Sequence, residues 1–410
     1  MTDIWDAIII GGGAAGFYGA ITCANALPRR ARVLIVERAR RVLQKVKISG
    51  GGRCNVTHDC FDPKRMATHY PRGNKALIGP LHRFGVRETV RWFTARGVEL
   101  KTEADGRMFP TTDDSQTVID CLQDAADRAG VELWTSAGVE AITPIDEGFE
   151  LALRDGRTVR TRTVLLATGG TRSTSGASLA RSLGHELIPP VPSLFTFHID
   201  DPRIEGLQGL SVDHVEVEVV GEPLANDGPL LVTHWGMSGP AILKLSAWGA
   251  RELHALDYTF DLQVNWLPGV DCEQRFHKLR ADWGKRQVGS RSPFDQLPKR
   301  LWERLVDAAE IDPERRWAEL SKKKSRALGR HLTRAEFSVT GKSTNKDEFV
   351  TCGGVPTDEV DMRTMESRIT PGVYFAGELL DIDGVTGGFN FQNAWTTGHL
   401  AGQAMAEAAG

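Results

Sequence analysis

The sequence predicts an α/β fold: a parallel-sheet nucleotide-binding domain interrupted by an insert of mixed β and α character. Three observations carry this. Asp6-Ala-Ile-Ile-Ile-Gly11-Gly-Gly13-Ala14-Ala15-Gly16 runs a short apolar strand straight into G-x-G-x-x-G. A second glycine-rich assembly, Gly372-Val-Tyr-Phe-Ala-Gly377-Glu378 followed by Thr386-Gly387-Gly388-Phe389-Asn390, stands near the other end of the chain. Between them the texture changes at Pro189-Pro190-Val-Pro192, from buried apolar runs to alternating and then basic helical sequence. A nucleotide site built from both ends of a chain is the assembly of a Rossmann-like FAD domain.

Residues 4–10 are an almost unbroken apolar run, which fits a parallel strand buried on both faces. Ala14–Leu27 follows as a helix and Arg32–Glu37 as a second buried strand, so residues 4–37 form one βαβ unit. Thr117–Ala129 carries Val118, Cys121, Leu122 and Ala125 at helical spacing. Val131–Trp134, Val139–Ile142, Phe149–Leu153 and Val159–Thr161 read as strands, and Thr163–Gly170 as a buried strand ending in paired glycines. Residues 1–190 are thus the first part of the nucleotide-binding domain. The insert spans 191–345. It is β-rich over 191–268 and 333–345, where Val215–Val219 and part of Tyr258–Val264 alternate with period two, and helical over 269–332. Ala335–Val339 and Glu348–Thr351 read as strands. Residues 346–410 return to the first domain through Val373–Ala376 and a helix from about Gln392 to Ala408.

With 410 residues there is room for two or three domains. A formal net charge of −3 gives no global attraction to nucleic acid or an anionic membrane, so a small-molecule substrate is expected and nucleic acid is not. No apolar run approaches the roughly 20 residues a membrane helix needs. A strand beginning within five residues of Met1 leaves no space for a signal peptide, so the expected location is cytoplasmic. The six cysteines are scattered with no C-x-x-C and no zinc spacing, which fits reduced thiols and no metal site. No feature speaks to oligomeric state.

In the first motif Gly11 allows the tight turn, Gly13 lets backbone approach a pyrophosphate, and Gly16 allows helix to pack on strand. Ala14 and Ala15 open a helix whose N-terminus supplies N–H donors. Glu37, followed by Arg38, lies 21 residues beyond Gly16, where an acid accepts ribose hydroxyls. Ala167-Thr168-Gly169 and Gly377-Glu378 read as strand ends that meet the cofactor, with Glu378 reaching the ribityl chain. Gly387 and Gly388 suit backbone passing close to a flavin ring. Lys45-Val-Lys-Ile-Ser49-Gly-Gly51-Gly52-Arg53-Cys54-Asn55 is the least generic stretch; its glycines permit backbone against a planar ring, and Arg53 and Asn55 offer donors to flavin or substrate. Cys54 and Cys60 are separated by five residues, one more than in the redox-disulfide flavoproteins, so Cys54 reads as a packing or flavin-proximal thiol. His234, in Thr233-His-Trp-Gly-Met-Ser-Gly-Pro240, is either an acid/base or a satisfied loop histidine. Arg107 is either an anion binder or a loop salt bridge. Lys322-Lys-Lys324 with Arg326 and Arg330 reads as a solvated helix face, without the interleaved aromatics of a nucleic-acid site.

Lys47-Ile-Ser-Gly-Gly-Gly-Arg-Cys-Asn-Val-Thr57, Thr233–Pro240, and Gly377-Glu-Leu-Leu-Asp-Ile-Asp383-Gly384 with Thr386–Asn390 together resemble the signature of the BaiN-type NAD(P)/FAD-dependent oxidoreductases. The resemblance runs end to end. It implies a Rossmann-like FAD domain interrupted by an insert with a β-barrel-like part and a helical part. It places FAD against Gly11, Gly13, Gly16 and Glu37, with adenine at the Val139 backbone and the flavin near Gly51–Asn55. Thr168, Gly169, Gly377, Glu378, Gly388 and Asn390 complete that site, flanked by Ala167, Asp383, Gly387 and Phe389. Phe389 and Phe391 stand where members more often carry Tyr and Leu. The group includes a bile-acid 3-dehydro reductase and an aminoacetone oxidase, so two reactions are implied. One is reduction of an activated C=C bond with NADH or NADPH as transient donor, although the chain lacks a second G-x-G-x-x-G. The other is O₂-linked oxidation of an amine or alcohol. In both, substrate meets the flavin between FAD domain and insert, with His234, Arg107 and Arg53 as the catalytic candidates. A third reading is a non-enzymatic flavin-bearing module whose insert contacts RNA or protein through Lys322–Arg330.

Overall fold

The computed structural model describes residues 4–170, 174–343 and 350–409. The chain divides into two compact units, Met1–Pro192 with Lys346–Gly410, and Ser193–Asn345.

In the first unit Ile4–Ile10 forms β1, Ala14–Ala26 α1 and Val33–Val36 β2. Ala7, Ile8, Ile9 and all of β2 are at most 2% exposed, as parallel strands covered on both faces require. A stretch α2, Gln44–Gly52, is not one helix: Ser49 turns extended (ψ 149°), and Gly50 and Gly51 are left-handed at φ 58° and 69°. Helix α3, Ser115–Arg128, starts two residues earlier than the apolar spacing predicts because the Asp114 carboxylate caps it, accepting from Gln116 N–H at 2.9 Å. Strand β3 (Glu132–Trp134) pairs parallel with β2, and β4 (Val139–Ile145) with β5 (Gly148–Leu153) forms a hairpin.

The two strands expected at 159–161 and 163–170 are one, β6, Thr158–Leu166. The intervening polar residues do not break it, because Thr161 pairs with Phe149 of β5 on one side and Trp5 of β1 on the other, and its hydroxyl donates to Thr163 O at 3.0 Å.

The second unit holds an antiparallel sheet of β7 (Thr196–His198), β8 (Ser211–Val219), β9 (Ala225–Val232), β10 (Gly236–Ser238) and β11 (Phe260–Asn265). Its helical part is α4 (Cys272–Asp282), α5 (Lys299–Ala308) and α6 (Lys322–Thr333). Trp302 and Trp317 stack at 6.2 Å in the core of that part, both fully buried. Strands β12 (Ala335–Val339) and β13 (Gly341–Ser343) follow. β12 pairs with β11 and β13 with β7, so one stretch of chain joins the two ends of the sheet and closes it into a barrel-like form.

The return segment adds β14, Val373–Phe375, parallel to β6, giving the order β14-β6-β1-β2-β3 across the centre of the first unit's sheet. Of the strand expected at 348–351, Glu348 and Phe349 lie outside the described residues; Val350–Cys352 is a strand. The last helix, α7, spans Phe389–Ala409 and so starts three residues before the expected point. Gln392 N–H already bonds to Gly388 O at 3.0 Å, so the helix begins at the paired glycines. Helix α7 lies on α1 through glycines: a Cβ on Gly398 would sit 2.5 Å from Ala15 O, and one on Gly402 2.3 Å from Gly19 O.

Candidate functional site

The turn after β1 is built by exclusion. Gly11 has φ +116°, and a Cβ there would lie 2.3 Å from Ala167 O at the end of β6. A Cβ on Gly16 would lie 1.9 Å from Gly11 O. At Gly13 the opposite holds: nothing lies within 4 Å of a Cβ. Gly13 is also the N-cap of α1 and offers no side-chain cap, so the first-turn N–H groups, from Ala14 and Ala15 onward, face that open space. An uncapped helix start behind an open glycine fits a diphosphate.

Glu37 and Arg38 follow β2. The Glu37 carboxylate accepts from Gly12 N–H and Ala39 N–H, both at 2.7 Å, which fixes the acid at the strand end with further lone pairs to offer. Arg38 donates to Ser175 Oγ at 3.1 Å. Glu37, Arg38, Val139, Thr168 and Gly11 line one pocket. Thr168 Oγ1 is buried there with no hydrogen-bond partner among the described residues, a polar atom that a ligand hydroxyl or phosphate would satisfy. Beside it Gly169 has φ +77° and open space where a Cβ would be.

The glycine-rich stretch after Lys45 is tied to the C-terminal glycines. The Asn55 amide donates to Thr57 O and accepts from Gly388 N–H, both at 2.9 Å. A Cβ on Gly388 would meet Thr57 O at 2.5 Å, so the two segments touch backbone to backbone. Gly51 and Gly52 have nothing within 4 Å of a Cβ and so border open space. Ser49 Oγ donates to Val46 O at 3.0 Å. Cys54 is fully buried, and burial pushes its thiol up to about 12. All six cysteines are free thiols.

Other expected residues already hold protein partners. The Glu378 carboxylate accepts from Thr351 N–H at 2.9 Å and from Lys45 Nζ. Gly377 N–H donates to Thr397 Oγ1 at 2.9 Å. Asp383 is fully buried in a bidentate pair with Arg72, whose Nε donates to Oδ1 at 2.6 Å and Nη2 to Oδ2. Asn390 brackets Gly384, accepting from its N–H at 2.8 Å and donating to its O at 2.9 Å. Arg53 and Arg107 share Glu103, at 2.6 and 3.0 Å, and Arg107 also holds Asp105 at 2.7 Å; Arg107 is on a strand, Arg107–Pro110, not in a loop. His234 is exposed in the second unit, without a hydrogen-bond partner among the described residues.

Sequence reasoning missed one cluster. Phe389, His58 and His69 form a three-ring cluster, with Phe389 at 4.8 Å from His58 and 4.3 Å from His69 and the two histidines 6.0 Å apart, and Tyr70 donates to Phe389 O at 2.6 Å. A Cβ on Gly387 would lie 3.5 Å from His58 Cδ2, so the stack adjoins the paired glycines. Burial lowers the His58 pKa against the opposing pull of Asp59 and Asp105. Histidines at 58 and 69 carry no spacing signal; only the fold joins them to residue 389.

The model of the family described as HI0933-like protein Rossmann domain matches residues 5–404. The 3-dehydro-bile acid Δ4,6-reductase of Clostridium scindens is 31% identical over 409 residues, 97% of this chain and 98% of that protein. The ribosomal RNA dihydrouridine synthase of Escherichia coli is also 31% identical over 409 residues, 97% of each chain. Among solved structures, 3-ketosteroid-Δ4-(5α)-dehydrogenase from Rhodococcus jostii RHA1 superposes with a TM-score of 0.52 at 16% identity, covering 99% of this chain and 98% of that one; the likeness is one of fold. Among the described residues no helix is long and apolar enough to cross a membrane.

Proposed function

The chain belongs to the HI0933-like Rossmann family and is an FAD-dependent oxidoreductase, and we propose that it adds hydrogen across a C=C bond conjugated to a carbonyl, with NADH or NADPH as donor. One observation carries this reading. Two relatives of equal identity over nearly the whole chain are named for substrates as unlike as a bile acid and ribosomal RNA. What those substrates share is the bond: the Δ4 double bond beside a 3-oxo group, and the uracil C5=C6 bond beside the C4 carbonyl.

The first unit is the FAD-binding domain in this reading, and Ser193–Asn345 is its insert. Gly13 and the first turn of α1 hold the diphosphate, Glu37 takes the ribose, Val139 meets adenine, and Thr168 Oγ1 gains the partner it lacks. Asn55 fixes the Gly388 backbone, beside which the flavin would lie. The chemistry supplied by bound FAD is two-electron hydride transfer. Hydride goes to the carbon β to the carbonyl and a proton to the α carbon, so the double bond becomes CH–CH while NAD(P)H is oxidised to NAD(P)⁺. Nicotinamide docks transiently, since the chain carries a single G-x-G-x-x-G. Six free thiols fit the reducing cytoplasm we propose for it.

The test is anaerobic. Purified protein is titrated with NADH and NADPH while the oxidised-flavin band near ~450 nm is followed, and the reduced enzyme is then offered a 3-oxo-Δ4 steroid or uridine-containing RNA. Return of the band with either acceptor supports the reading. Return only on admitting O₂, with an equivalent of peroxide, makes the protein an oxidase instead.

A further inference from the structure

We propose that the helical part of the insert docks the sugar–phosphate backbone of RNA on a cationic ridge formed by Lys285, Arg286, Arg315, Arg316, Lys322 and Lys323. The proposal rests on the reading above in its uracil form.

The net charge of −3 hides a strong partition. Residues 271–334 hold 17 Lys and Arg against 10 Asp and Glu, leaving 33 against 43 for the rest of the chain. The fold gathers six of these cations from three stretches of chain. Val288 N–H bonds to Arg315 O at 2.8 Å and Trp317 N–H to Arg286 O at 3.1 Å, so residues 285–288 run beside 315–317. Arg280, near the end of α4, donates to Leu320 O, which brings the same corner against the start of α6 and hence to Lys322 and Lys323.

All six side chains are exposed, and none forms an ion pair among the described residues. Neighbouring cations are already used: Lys324 holds Glu310, Arg291 holds Asp295 and Lys299 holds Glu303. Asp282, Asp312, Glu314 and Glu319 are exposed in the same stretches, four acids against the six cations.

Two features favour RNA over an anionic membrane. The Arg286 guanidinium lies 4.7 Å over the half-buried Trp283 ring, a cation–π platform on which a base or ribose can stack. No large apolar side chain in 271–334 is among the exposed ones, so there is nothing to insert into a bilayer. The aromatic that the linear sequence seemed to lack stands some forty residues from the lysine run and is brought to it by the fold.

The test uses the full chain with FAD and ribosomal RNA transcribed in vitro. Wild type is compared with R286A/R316A/K322A/K323A by filter binding from 50 to 200 mM KCl, with dihydrouridine read by mass spectrometry. Loss of four phosphate contacts should weaken binding at least tenfold and flatten the log–log salt slope by about 3, at roughly 0.7 per contact. Flavin reduction by NAD(P)H and the thermal midpoint should not move. A control lacking four exposed cations of the first unit, R29A/R30A/K64A/R128A, should bind within about twofold of wild type, whereas an equal loss would overturn the ridge. Wild type that makes dihydrouridine while the ridge variant binds as well as wild type would overturn the ridge and leave the uracil reading standing. Wild type that neither binds nor reduces RNA, yet reduces a steroid enone, would overturn both.

Discussion

At Gly13 a Cβ meets nothing within 4 Å, while at Gly16 it would press on Gly11 O, so the same mutation has opposite meanings three residues apart. Gly13→Val should fold, since only the space in front of α1 is filled, but should bind FAD roughly 100-fold more weakly, about 2.7 kcal/mol. Flavin content after gel filtration, beside an unchanged circular dichroism spectrum, checks it; a fully yellow variant would remove the diphosphate from this turn. Cys54 gives a pH prediction. Burial disfavours the thiolate and raises the pKa to about 12, so at pH 8 the group is a neutral thiol. Iodoacetamide at pH 8 should leave it unmodified in folded protein and label it in urea, as peptide mapping will read. Arg72→Ala should cost about 3–5 kcal/mol, because it removes the guanidinium paired bidentately with the fully buried Asp383 carboxylate. A urea midpoint close to wild type would show that water replaces the guanidinium. The turn glycines were legible because G-x-G-x-x-G after an apolar run has one economical geometry. The Asp383 partner was not, since Arg72 lies 311 residues away and no local rule joins them.

Periodicity found most elements because each of those segments buries its apolar residues on the faces that its period defines. It split β6 in two because Thr161-Arg-Thr163 looks like a turn in isolation, although strand partners on both sides hold it extended. It assigned no element to the Lys45–Asn55 stretch, where the fold makes a short helix broken at Ser49 and two left-handed glycines. It started α7 three residues late; in the fold the helix is already under way at Phe389, with Gln392 N–H bonded to Gly388 O. What unites the chain ends is invisible to any window: Gly398 and Gly402 of α7 against Ala15 and Gly19 of α1. Gly398→Val should push the helices apart at a cost of about 1–3 kcal/mol. It should also speed FAD loss on the proposed reading, in which the N-terminus of α1 holds the diphosphate and α7 starts at Phe389, directly after Gly388. Thermal midpoint and flavin release rate should fall together; a lower midpoint with unchanged release would separate packing from the site.

The whole chain carries an average that hides a partition. A charge of −3 argued against nucleic acid, yet it is the sum of a basic helical part and an acidic remainder, and a polyanion responds to the part it touches. The alternation of β8 and the basic texture of 271–331 were readable as separate signals, but the corner where residues 285–288 meet 315–317 exists only in three dimensions. This partition makes ionic strength a discriminator between the two kinds of substrate. A steroid enone is at most singly charged, so its kcat/KM should change less than about threefold between 50 and 200 mM KCl. RNA held by about four phosphate contacts should lose roughly 50-fold over the same range, because each contact releases counterions whose recapture salt favours. Both series are run on one preparation, with flavin reduction by NAD(P)H measured in parallel to correct for any effect of salt on the donor step. A steep fall for RNA beside a flat steroid line would place recognition in the basic part and chemistry at a neutral ring. Two flat lines would mean that any RNA turnover proceeds without phosphate contacts, and the charge partition would then serve something other than substrate.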